Sequence, residues 1–165
     1  MRLVTVTLVS LTLLISNAFA AVPGGVVSDL SNAREFKVFK KTRDLPAQIK
    51  ASLTKAFKES ALEMADAGNP FQKTDFGIQR PKAQALPSRR LIFAFGTSRY
   101  FVVYYESSAV GLGANALVFR IDTSGPANLV WGGVEKDYAN LAKNPMKLIN
   151  RLRESKLIDD QKFIW

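Results

Sequence analysis

The chain contains no cysteine and no histidine, and only 14 of its 165 residues are acidic against 23 that are basic. The missing cysteine excludes a thiol nucleophile, a disulfide, an iron–sulfur cluster, a thiolate zinc site and a lipidated cysteine anchor. The missing histidine removes the commonest general base and metal ligand. Hydrolase constellations built on either side chain are therefore excluded, and the sequence calls for no metal and no cofactor. The short supply of acid leaves a formal net charge of +9.

A long apolar run is also missing. A helix needs about 20 predominantly apolar residues to cross a bilayer, whereas the stretch Leu3 to Ile15 is shorter and interrupted by Thr5, Thr7, Ser10 and Thr12. With Arg2 before it and Ala18 and Ala20 after it, this stretch reads as a secretory signal peptide over residues 1–20, cleaved between Ala20 and Ala21. Cleavage removes one positive charge and leaves an exported chain, periplasmic or secreted, with no membrane span. An exported domain of this size without disulfides must stand on its apolar core alone.

What is present is an ordinary globular composition, 47% hydrophobic and 22% charged. Residues 21–43 begin Ala-Val-Pro-Gly-Gly, lack sustained periodicity and read as a flexible leader. Phe36-Lys37-Val38 alternates apolar and polar, which permits a short strand without requiring one. Residues 44–165 read as a single α+β domain. Asp44-Leu45-Pro46 opens a helix, with Asp44 as the cap and Pro46 in the first turn. Ile49, Leu53, Ala56, Phe57, Ser60, Ala61 and Met64 then recur at helical spacing, and Gly68 and Pro70 mark the stop. The proline-punctuated stretch 69–90 is a long connection, with a possible extended piece around Phe76 to Ile78.

The period then shortens. Leu91–Phe95, Tyr100–Tyr105, Ala116–Ile121 and Asn128–Trp131, separated by brief turns, read as an antiparallel meander of about four strands. The first two strands are apolar at consecutive positions, so both faces of the sheet should be covered there. Asn144-Pro145 opens a short C-terminal helix, with Met146, Ile149 and Leu152 on its inner side and Lys147, Arg151 and Glu154 pointing away. The chain closes on Phe163-Ile164-Trp165, an apolar tip expected to dock on the sheet rather than stand in water.

Three groups of residues carry whatever chemistry the chain has. The first is the loop between the second and third strands, where Tyr104, Tyr105, Glu106, Ser107 and Ser108 lead to Gly111 and Gly113. Glycines here would let backbone amides approach a ligand. The Gly-x-Gly precedes a strand rather than a helix, which argues against a dinucleotide site. The second group is the strand-end carboxylates Glu106, Asp122, Glu135 and Asp137. Two of them converging across a cleft, Glu106 and Asp122 for instance, would make a cell-wall hydrolase. The third is the basic excess, with Arg89, Arg90, Lys147 and Arg151 as a candidate face among other scattered cations.

The leading expectation is a non-catalytic exported binding or inhibitor-like module that recognises an anionic envelope component or a protein partner. Nucleic acid is not an expected partner, because the aromatics lie in the strands rather than among the cations. The hydrolase is the second reading. A structural or chaperone-like envelope protein is the third, and it would show a broad apolar patch on an uncovered sheet face.

Overall fold

The computed structural model describes residues 21–34, 36–72, 86–108, 113–135, 141–154 and 157–159. Its centre is an antiparallel sheet in sequence order: β1 (Arg89–Gly96), β2 (Tyr100–Ser107), β3 (Gly113–Arg120), β4 (Asn128–Glu135) and the two-residue β5 (Ile158–Asp159). The helices are α1 (Gly24–Asn32), α2 (Ala47–Ala56) and α3 (Pro145–Arg153), with a 3-10 turn at Thr42–Asp44. The α+β meander expected from the apolar runs is therefore the architecture, with β5 added at the far edge.

Both sheet faces are covered, by different helices. On one face α2 brings Ile49 and Leu53, with Leu45 and Phe57 at its ends, onto Phe101, Val103, Tyr105, Leu117 and Phe119. On the other, Val26 and Leu30 of α1 and Leu148, Ile149 and Leu152 of α3 pack on Phe93, Phe95, Val102, Tyr104, Val118 and Trp131. The alternation of the strands produces this division, since consecutive residues point to opposite faces. Burial of a large apolar side chain contributes about 1.5–3 kcal/mol, so two such layers make a core that needs no covalent staple. A break in register between Leu91 and Phe93 puts these two residues of β1 on opposite faces although they are two apart: Leu91 lies opposite Tyr105, and Phe93 lies opposite Tyr104.

The edges of the sheet are closed by short pieces of chain. Phe39 and Ala94 exchange backbone hydrogen bonds of 2.8 and 2.9 Å along the outer side of β1. Further along the same edge, the Ala65 N–H donates to the Arg89 carbonyl and the Leu91 N–H donates to the Ala65 carbonyl. At the other edge β5 pairs with Gly133 and Val134 of β4. Such cover leaves fewer open backbone groups to recruit another strand.

Several sequence expectations need correction. Residues 21–43 are not a free leader, because α1 lies within them and buries Val26 and Leu30 completely. The signal was weak: two apolar residues at a four-residue spacing, opened by Gly24-Gly25 with no capping side chain. Asp44 does not cap α2. It ends the 3-10 turn, and Pro46 occupies the cap position without a side-chain hydrogen bond.

α2 also ends at Ala56 rather than near Gly68. Lys58 adopts a left-handed φ of 55°, the Lys58 N–H donates to the Lys55 carbonyl and the Glu59 N–H to the Thr54 carbonyl. This is the paired hydrogen-bond pattern that closes a helix, with lysine where glycine is usual. Ser60 and Ala61 are consequently exposed, while Met64 reaches the core from irregular chain. In α3 the buried side is Leu148, Ile149 and Leu152, and Met146 is exposed instead. The cap expected at Asn144 is present: its Oδ1 accepts from the Lys147 N–H at 2.9 Å.

Candidate functional site

The register of the strands decides which polar residues meet. Glu106 on β2 lies opposite Arg90 on β1 and Ala114 on β3, and Ala114 lies opposite Glu135 on β4. Residues directly opposite share a face, so Arg90, Glu106 and Glu135 form a row across one end of the sheet. With strands about 4.8 Å apart, the two glutamates stand about 10 Å apart at their Cα atoms. Both are buried, Glu106 at 3% exposure and Glu135 at 8%.

Each of these carboxylates is already engaged. The Arg90 Nε donates to Glu106 Oε2 at 2.6 Å, while the same guanidinium stacks on Phe71 with 4.5 Å to the ring centroid and donates to the Asn69 carbonyl. Glu135 accepts from the Tyr104 hydroxyl and forms an ion pair with Arg151 of α3. The row is thus a pair of compensated charges that ties the loop around Asn69 and the helix α3 to the sheet. Both carboxylates therefore have their oxygens committed to side chains of the fold rather than turned to an open cleft.

The opposite face carries a related arrangement. Arg89 pairs with Glu59 and lies 3.9 Å from the Phe57 ring centroid, and Phe57 meets Tyr105 edge-on with 5.5 Å between centroids. Tyr104 and Tyr105, adjacent in sequence, therefore sit in separate cores. Burial raises both hydroxyl pKa values, that of Tyr104 to about 12, with the neighbouring Arg151 and the Ala142 backbone partly opposing the shift.

Of the first group of candidates, the described residues lie inside the sheet or, for Ser108, directly after β2. Tyr104, Tyr105, Glu106, Ser107 and Ser108 are all buried. Gly113 is inside β3 opposite Ser107, where a Cβ would approach the Glu135 carbonyl oxygen to 3.2 Å. A side chain there would fit tightly against the neighbouring strand. Gly111 and Asp137 lie outside the described residues, as do Phe76 to Ile78 and the 163–165 tip.

The candidate carboxylate pair Glu106 and Asp122 is not brought together. Asp122 follows Arg120, which lies opposite Tyr100. It is thus at the other end of the strands, about 20 Å from Glu106 at the rise of a strand. There it accepts from Arg120 at 3.2 Å and from Asn128, as a turn acid does. Glu135 is the carboxylate that shares a face with Glu106, and only the register reveals it.

The candidate basic face also divides. Arg89, Arg90 and Arg151 are each committed to a glutamate, and of the four residues Lys147 alone is exposed. The free positive charge lies elsewhere, in the stretch 37–58. Lys37, Lys40, Lys41, Lys55 and Lys58 are exposed there, and Arg43 pairs at 3.7 Å with Asp44, the only acid of the stretch. The backbone bonds at Phe39 and the hydrogen bonds from the Thr42 N–H and hydroxyl to Asp66, 2.7 and 2.9 Å, fix this stretch against the fold.

One feature was invisible in the sequence. A cavity of about 300 Å³ opens between the end of α2 and the β3–β4 turn, with Ala56, Phe119, Ala127 and Leu129 as its apolar wall and Ser52 and Lys55 beside them. Its residues come from two stretches far apart along the chain, 52–56 and 119–129, so no local motif announces it. The Ser52 hydroxyl there is occupied, at 2.7 Å from the Ala127 carbonyl and 2.8 Å from that of Gln48. Compared with protein-family models, curated proteins and solved structures, the chain finds no match in any of the three.

Proposed function

We propose that the protein is a non-catalytic binding module of the cell envelope that holds an anionic component through its lysine-rich surface. The observation that carries this reading is the way charge is partitioned. Glu59, Glu106 and Glu135 are neutralised by Arg89, Arg90 and Arg151, so the net positive charge is expressed by exposed lysines together with arginines such as Arg34 and Arg99. The densest exposed stretch is 37–58. Clustered cations of this kind attract polyanions over about a Debye length, roughly 8 Å at physiological ionic strength.

The hydrolase reading is weaker, because the named pair is split and the buried glutamates are held by arginine. The chaperone-like reading expected an uncovered apolar sheet face, and helices cover both faces. Export follows from the signal-like segment 1–20, which lies outside the described residues.

Binding to immobilised heparin, used as a model polyanion, tests the proposal. The purified protein should be retained at low salt and released by moderate salt. Lys40→Glu with Lys41→Glu should lower the salt needed for release, with an unchanged thermal midpoint. Failure of the unmodified protein to bind at low salt, or indifference to the double substitution, overturns it.

A further inference from the structure

Among the described residues the exposed large hydrophobic side chains are Val38, 43% exposed, and Met146, 50% exposed. Each is bracketed by lysine: Val38 by Lys37 and Lys40, Met146 by Lys143 and Lys147. A single exposed apolar residue is unremarkable on a protein surface. An apolar residue held outward by a fixed backbone and ringed by unneutralised cations has the composition of an interfacial membrane contact.

The stretch around Val38 has that construction. Phe39 points inward, with its ring 5.6 Å from that of Phe101, and its backbone is bonded on both sides to Ala94. The alternation of an extended chain then directs Val38 outward. The Lys40 carbonyl accepts from the Ala67 N–H at 2.9 Å, and Thr42 is held by Asp66. Val38 and its lysines are thus preset rather than carried on a free tail, which lowers the ordering cost of binding. No carboxylate among the described residues pairs with Lys37, Lys40 or Lys41.

We propose that residues 38–41 dock on an anionic lipid bilayer, with Val38 at the boundary between headgroups and acyl chains and Lys40 and Lys41 against the lipid phosphates, while Lys37 lies over the Phe39 ring, 5.2 Å from its centroid. This rests on the anionic-ligand reading above and specifies its source. A soluble polyanion would engage the lysines and ignore Val38. A bilayer rewards both, since each lysine near an anionic surface and each buried apolar group adds separately to binding.

Co-sedimentation with phosphatidylglycerol vesicles, phosphatidylcholine vesicles and heparin–agarose separates these cases. The unmodified protein should bind phosphatidylglycerol and not phosphatidylcholine. Val38→Ser should reduce vesicle binding roughly threefold or more, the effect expected for losing part of a buried valine, and leave heparin retention unchanged. Lys40→Glu with Lys41→Glu should reduce both. All three positions tested are exposed, and an unchanged thermal midpoint confirms that each variant is folded. Vesicle binding indifferent to Val38→Ser, or equal on the two lipids, overturns the bilayer proposal while heparin retention keeps the polyanion reading. Loss of binding to vesicles and heparin alike in the unmodified protein overturns both.

Discussion

Tyr104 and Tyr105 illustrate how little a side chain's neighbours in sequence say about its surroundings. Each is an aromatic with a polar tip at the end of a strand, and each is drawn into a different core by the alternation of β2. Burial makes their hydroxyls hold protons more tightly than in the unfolded chain, Tyr104 to about pH 12 and Tyr105 beyond it. The unfolded chain starts to lose these protons near pH 10, while the folded protein keeps them. Their contribution to stability is therefore whole below about pH 10 and declines as pH rises through the folded pKa values. We expect the thermal midpoint to fall steeply above about pH 10, and expect Tyr105→Phe, which removes the titrating hydroxyl, to lessen that slope. Denaturation monitored by circular dichroism across alkaline pH checks this. An unchanged slope in the variant would contradict the assignment.

At the scale of elements, helix ends were the least legible feature. Glycine at 68 looked like the stop of α2 because glycine takes left-handed backbone at low cost. The chain instead places Lys58 in that conformation two residues beyond Ala56. For a residue with a Cβ this costs about 1–2 kcal/mol, and glycine at the same place trades that strain against a larger loss of chain entropy. Lys58→Gly should accordingly stabilise the protein by up to about 1 kcal/mol, read as a higher urea midpoint at constant slope. A lower midpoint would mean that the lysine side chain contributes more than its backbone costs. The strands and α3 were far more legible: four apolar runs at short spacing admitted little else, and Asn144-Pro145 announced a helix start that the structure keeps. The apolar spacing of α3 favours Met146 over Leu148 on its inner side, because a helix of this length allows more than one apolar stripe and only its partners, α1 and the sheet, select among them.

For the whole molecule, the arrangement of charge is the feature that bears most on function. Among the described residues three arginine–glutamate pairs lie at the sheet, Arg90–Glu106 between two strands, Arg89–Glu59 and Arg151–Glu135 to the segments outside it, and the lysines that bear on function are exposed. If the segment 1–20 is the export signal proposed above, protein recovered from the envelope fraction should begin at Ala21, with an intact mass lower by that of residues 1–20. Recovery of the full-length chain from that fraction would contradict cleavage. Among the described residues, the side chains that build the two cores begin at Val22 in one and at Phe39 in the other.

The sequence by itself determined the chemistry that is missing, the α+β class, the meander and the positive charge, because composition and local apolar spacing are enough to set these. It also placed Glu106 and Glu135 at strand ends. Only the tertiary structure decided that these two share a face while Asp122 lies at the far end, that residues 24–32 complete the second core, and that Arg89, Arg90 and Arg151 are neutralised internally. Those outcomes depend on strand register and on which helix covers which face. A shift of one residue in register would send each of these side chains to the other side of the sheet, and no local pattern in the sequence records that choice.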